Sequence, residues 1–179
     1  MTTEMWIIAL VRLAGALPVL RWPFYGAIVA LLVDQSDLFL MNLLHLGGVN
    51  DYQSFDKYLD QAYLATFLLV ALRWQGPERN VAAGLYVYRL AGFVAFEVTQ
   101  ARGLLLFFPN LFEFWFLFVT ARRHFGLEEW LRGRRLGIVL AALLALKLFQ
   151  EYAIHQARWL DGFTAVEAVE TIWRWLTPF

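Results

Sequence analysis

The chain has 179 residues, 60% of them hydrophobic and 17% aromatic, with a mean hydropathy of +0.54. Fifteen basic residues balance fifteen acidic ones, so no excess charge points to nucleic acid as a partner. The absence of cysteine excludes disulfides, thiolate metal sites and cysteine nucleophiles.

This composition lies far from that of an ordinary soluble domain. It predicts an all-α, polytopic integral membrane helical bundle, a single domain over residues 1–179. The opening MTTEMWIIALVRLAG lacks the basic start of a signal peptide and carries Arg12 inside its apolar run. About six transmembrane helices follow in order: Met5 to Leu20, interrupted by Pro18; Phe24 to Leu46; Ser54 to Trp74, ended by Gln75-Gly76-Pro77; Val81 to Gln100; Gly103 to Ala121; and Leu136 to Ile154. The residues from Gly47 to Asp51 read as a turn.

The tail, about residues 164–176, differs. Thr164 and Glu167 have capping-box spacing. Val166, Val169, Trp173 and Leu176 share one helical face, with Glu167, Glu170 and Arg174 on another. This predicts an amphipathic helix that lies on the membrane or docks on the bundle. Arg122, Arg123, Arg132, Arg134 and Arg135 concentrate between the fifth and sixth segments. The 122–135 loop is therefore expected to be cytoplasmic, together with Arg21, Arg73 and Arg79, and the Gly47–Asp51 turn to face outward.

A carboxylate at membrane depth costs roughly 2.5–3.5 kcal/mol on insertion scales, so each one is a functional candidate. Asp34 and Asp37 are three residues apart, Asp56 and Asp60 four apart, and each pair shares a helical face. Met41 and His45 extend the first face. Further along, Arg89 and Glu97 share a stripe with Tyr86, Phe93 and Gln100. Asn110 and Glu113 follow Pro109, and Lys147, Glu151 and His155 recur at intervals of four. Asp34, Asp37, Asp56, Asp60, Glu97, Glu113 and Glu151 set seven acids against the bases Lys57, Arg89 and Lys147. Protonation, a wet cavity or bound cations would relieve the excess. Oxygen-only ligands suit Mg²⁺, Mn²⁺ or Ca²⁺. The bland readings are buried ion pairs, Arg89 with Glu97 or Glu113 and Lys147 with Glu151. For Asp56, Lys57 and Asp60, the bland reading is a solvated helix start.

The pattern Asp34-x-x-Asp37 followed by Asp56-x-x-x-Asp60 resembles the CDP-alcohol phosphotransferase family, as does the lead-in RWPFYGAIVALLVDQSDLF. The likeness covers roughly Trp22 to Leu72. It implies six spans, four aspartates that hold divalent metal (Mg or Mn), and Asp60 as general base on an acceptor alcohol. Leu38, Met41-Asn42 and Tyr52 stand where the family has glycine, Ala-Arg and glycine. That departure argues against nucleotide binding in the family's usual pose. The family's site also opens to the cytoplasm, against the orientation drawn from the arginines. YRLAGFVAFEVTQ, LFFPNLFEFWF and KLFQEYAIH resemble segments of bacterial membrane proteins with no assigned function, which implies a bacterial plasma membrane but no activity.

Three readings stay open. One is a metal-dependent, phosphotransferase-like enzyme acting on membrane lipid or a phospho-alcohol, with Arg89 or Lys147 as phosphate anchor. Another is a proton- or cation-conducting protein. The third is a catalytically inactive relative. A homo-oligomer is compatible with each.

Overall fold

The computed structural model describes residues 2–36, 52–99, 107–127, 133–152 and 165–177. All of its regular structure is helical, with no strand among the described residues.

Helix α1 spans Thr3–Ala16, and the Thr2 side chain caps it by accepting from the Met5 amide at 3.2 Å. Pro18 cannot supply the next helical amide, so the chain tightens into a 3-10 turn over Leu17–Leu20. Helix α2, Pro23–Gln35, starts with proline at its first position, where no amide is needed. Gly26 allows α2 to lie directly on that turn, because a Cβ there would meet the backbone of Pro18 and Val19. Helix α3 is Tyr52–Ala71, and α4 is Pro77–Thr99, entered through Gly76 at φ +69°. Helix α5, Leu111–His124, begins only after Pro109 and stops at Gly126, which has φ +71°. Helix α6 is Arg134–Glu151, and α7 is Ala165–Leu176.

The core joins α3 to α5. Leu64, Phe67, Val70 and Trp74 pack with Phe112, Trp115, Phe116 and Val119. Phe67 stacks on Phe116 at 4.2 Å between ring centres, and Trp74 stacks on the same ring at 5.3 Å. Ala27 and Ala30 bring α2 onto this core. The outer surface is greasy: Val87, Val94 and Val98 on α4 are 62%, 52% and 80% exposed.

Two stretches are long and apolar enough to cross a membrane, Thr3–Leu20 and Pro77–Thr99, with mean hydropathies of 1.6 and 1.4. Pro23–Gln35 is a shorter apolar helix. The other expected spans fall short for identifiable reasons. Asp56, Lys57 and Asp60 lie in the N-terminal half of α3, and α6 carries Arg134, Arg135 and Lys147. Pro109 delays α5, leaving it 14 residues against the roughly 20 that a bilayer needs. The expected second segment runs on to Leu46, beyond the described residues, as do the Gly47–Asp51 turn and Thr164. In α7 the described residues Glu167, Glu170, Thr171, Trp173, Arg174 and Trp175 are exposed, with Glu170 and Arg174 paired at 3.4 Å.

Candidate functional site

Arg12 occupies the buried face of α1, which also carries Glu4, Met5, Ile8, Ala9, Gly15 and Ala16. Only 4% of Arg12 is exposed. Its guanidinium donates to three carboxylates: Asp34 near the end of α2, Asp56 Oδ1 at 2.9 Å and Asp60 Oδ1 at 2.8 Å on α3. Spacing explains why α3 offers two ligands, since residues four apart lie one turn above each other. One oxygen from each aspartate lies within 4.8 Å of the other two.

A second tier of cations closes the cluster. Lys57 Nζ lies 2.8 Å from Asp56 Oδ2 and 3.9 Å from Asp60 Oδ2. Arg89 of α4 reaches Asp60 Oδ2 at 3.8 Å and donates to the Phe108 carbonyl at 2.9 Å. Three aspartates thus face three cations, Arg12, Lys57 and Arg89. This group is not a solvated helix start: Asp60 is 8% exposed, and the Asp56 and Lys57 side chains are about one-fifth exposed. Arg12 belongs among the cations that meet these acids, where the sequence-based count has only Lys57, Arg89 and Lys147. The sign of it was visible, since an arginine inside an apolar run needs a buried partner as much as a carboxylate does.

Three polar atoms on two side chains of α3 and α4 lack hydrogen-bond partners among the described residues. The Nε of Arg89 is buried without an acceptor, and both ends of the Gln61 amide are buried without hydrogen bonds. Such groups are rare in folded proteins and mark places where a ligand or water is accommodated.

The remaining candidates form a neighbouring polar patch. Tyr63 of α3 and Asn110, whose Nδ2 lies at 2.5 Å, both donate to Glu113 Oε1. Glu113 therefore has hydroxyl and amide donors, in addition to any electrostatic help from Lys147 and Arg89. Tyr63 had no signal in the sequence beyond its aromatic character. Tyr58 donates to Glu97 at 3.4 Å. Lys147 donates to Gln150 at 2.9 Å and sits 5.5 Å from the Phe114 ring centre. Arg89 is positioned by the break at Pro109. Phe107 is helical and Phe108 lies in the bend before Pro109, and α4 reaches both of their carbonyls, through Tyr88 and Arg89. Gly92 makes room for Phe108 against α4. Asp37, Met41, His45 and His155, and the side chain of Glu151, lie outside the described residues, so the expected Lys147–Glu151 pair does too.

The class defined by fold and site is an all-helical protein with an arginine-centred carboxylate cluster and two helices apolar enough to span a membrane. Comparison with protein-family models, curated proteins and solved structures finds no match.

Proposed function

We propose that this is a multi-pass membrane protein whose Asp34–Asp56–Asp60 centre exchanges its internal cation, Arg12, for a divalent ion such as Mg²⁺ or Mn²⁺. The observation that carries this reading is the convergence of three carboxylate oxygens from α2 and α3 on a single cationic group. Three aspartates this close and this buried need a positive charge at their centre. Oxygen-only donors in this number suit a hard divalent cation. Membrane placement is supported by the outward apolar stripe of α4, which in water would be a large exposed patch.

The chemistry that fits such a centre is phosphoryl-group transfer to or from a lipid or phospho-alcohol. A divalent ion on Asp34, Asp56 and Asp60 would polarise phosphate oxygens. The unpartnered Nε–H of Arg89, beside Asp60, would donate to an anionic oxygen. Asp60 is the candidate base. Asp37, three residues beyond Asp34, is the candidate fourth ligand by spacing. The basic end of the bundle, with the 122–135 segment, is assigned to the cytoplasm. Single cysteines introduced at Arg79 and Gln35 into this cysteine-free chain test that assignment: an impermeant reagent should label the two from opposite sides.

The test of the centre is Mn²⁺ binding by the purified protein, followed by electron paramagnetic resonance. Wild type should bind Mn²⁺, and Asp34→Asn or Asp56→Asn should weaken binding at least about tenfold, as expected for losing a charged ligand. Full binding in both variants would overturn the assignment.

A second reading is favoured by the charge balance itself. Three acids and three bases balance among the described residues, so the cluster is then a lock joining α1, α2, α3 and α4 without catalysis. In that case neither wild type nor Arg12→Gln binds Mn²⁺.

A further inference from the structure

The opposite end of the bundle holds a recess of about 380 Å³ between the start of α2 and the ends of α3 and α5. Its walls include Arg21, Trp22, Tyr25, Trp74, Arg123 and His124, and no acidic residue lines it among the described residues. Arg123 lies 5.3 Å over the Trp74 ring and is held from behind by Glu78, at 2.7 and 3.1 Å. His124 stacks on Phe24 at 5.2 Å and shares a hydrogen bond of 3.1 Å with the Tyr25 hydroxyl. Arg21 is exposed on the rim, and no carboxylate pairs with it among the described residues. Glu78 also pairs with Arg122 at 2.9 Å. Among the described residues that line the recess, Arg21 and Arg123 are the charged ones, both positive.

The surroundings are apolar and aromatic. Trp22 is 60% exposed, Tyr25 57% and Phe125 65%. Aromatic rings with an apolar body and a polar edge, mixed with arginines, are what a protein places at the level of lipid headgroups. A recess with fixed cations, aromatic walls and no acid selects an anion that arrives with an apolar partner.

We propose that this recess binds the phosphate of an anionic phospholipid headgroup, with Arg21 and Arg123 as its cationic contacts and Trp22 and Tyr25 against the glycerol and acyl portion. Arg21 supplies a free guanidinium at the rim. Arg123 is pre-oriented by Glu78 and Trp74, so little side-chain freedom is lost on binding. The site is separate from the carboxylate centre: Asp34 lies 11 residues along α2 from Pro23, about 16 Å of helix. This inference rests on the membrane placement proposed above but not on the cation exchange.

Native mass spectrometry of the full-length protein in detergent, with phosphatidylglycerol and phosphatidylcholine added together, tests it. Wild type should retain phosphatidylglycerol in preference. Arg21→Gln should reduce that preference about fivefold, the expected contribution of one arginine at an anionic lipid surface. Arg21 is exposed and unpaired, so the variant should fold. Arg79→Gln, an exposed arginine near the same end but outside the recess, should leave the preference unchanged. Equal retention of the two lipids by wild type overturns the proposal, as does an equal loss in Arg79→Gln. Displacement of the lipid by glycerol 3-phosphate at equal concentration would also overturn it, making the site one for a soluble phosphate ester. Resistance to carbonate extraction reports on membrane placement alone, so failure of the two ideas is distinguishable.

Discussion

Among the described residues, Arg12 at one end of the bundle is surrounded by three carboxylates, with Lys57 and Arg89 behind them; at the other end one carboxylate, Glu78, is held by two arginines, Arg122 and Arg123. The two arrangements mirror each other in sign but not in surroundings. The Arg12 side chain is 3% exposed; at the Glu78 end Arg122 is as buried, at 5%, but Arg123 is 37% exposed. Water can take over part of the work of Arg123 if that partner is lost. It cannot do so around Arg12, where removing one partner strands buried charge. A buried cluster of this kind therefore fixes helix positions and cation occupancy together, while the partly wet one tolerates change.

This contrast can be broken or sharpened by substitution. Arg12→Gln should be the most damaging change, costing about 3–5 kcal/mol, because three carboxylates lose their shared counter-charge. Thermal or denaturant unfolding in detergent measures it, and a loss below about 1 kcal/mol would mean that the cluster is not buried as described. Gly26→Ala should come next at about 1–3 kcal/mol, since its Cβ is driven into the Pro18–Val19 backbone. Arg123→Gln should cost about 1 kcal/mol because its pair with Glu78 is partly solvated. That cost should shrink between low and high salt, while the cost of Arg12→Gln should not, and unfolding at two ionic strengths separates them. Tyr25→Phe should be smallest, under about 0.5 kcal/mol, because its hydroxyl is exposed and the His124 nitrogen can turn to water.

Much of the secondary structure was legible in the residues. Pro18, Pro77 and Pro109 mark real breaks, and glycines at 76 and 126 take the left-handed backbone that punctuates helices. The pairing of Asp34 with Asp56 and Asp60 was also legible, because consecutive helices with charged faces tend to turn them inward together. What spacing does not reveal is which other face meets them. The position of Arg12 on α1 said only that it lies on the same stripe as Glu4 and Ile8. The docking of that stripe on α2 and α3 depends on Gly15 against Val33 and on the turn that follows Ala16. Arg89 shows the same limit: Glu97 or Glu113 was the expected partner, yet its guanidinium is drawn to Asp60 and to the Phe108 carbonyl. Of the six expected spans, two are long and apolar enough among the described residues; the second, fifth and sixth run partly outside those residues, and charge interrupts the third.

The central claim is that Arg12 and a divalent cation compete for one position. The most direct measurement is the melting temperature of Arg12→Gln as Mg²⁺ is raised through the millimolar range. The account predicts that Mg²⁺ restores a large part of the lost stability, by the linkage expected of an ion that binds only the folded state, and that Asp56→Asn added to Arg12→Gln abolishes the rescue. A melting temperature of Arg12→Gln that does not move with Mg²⁺ would contradict it.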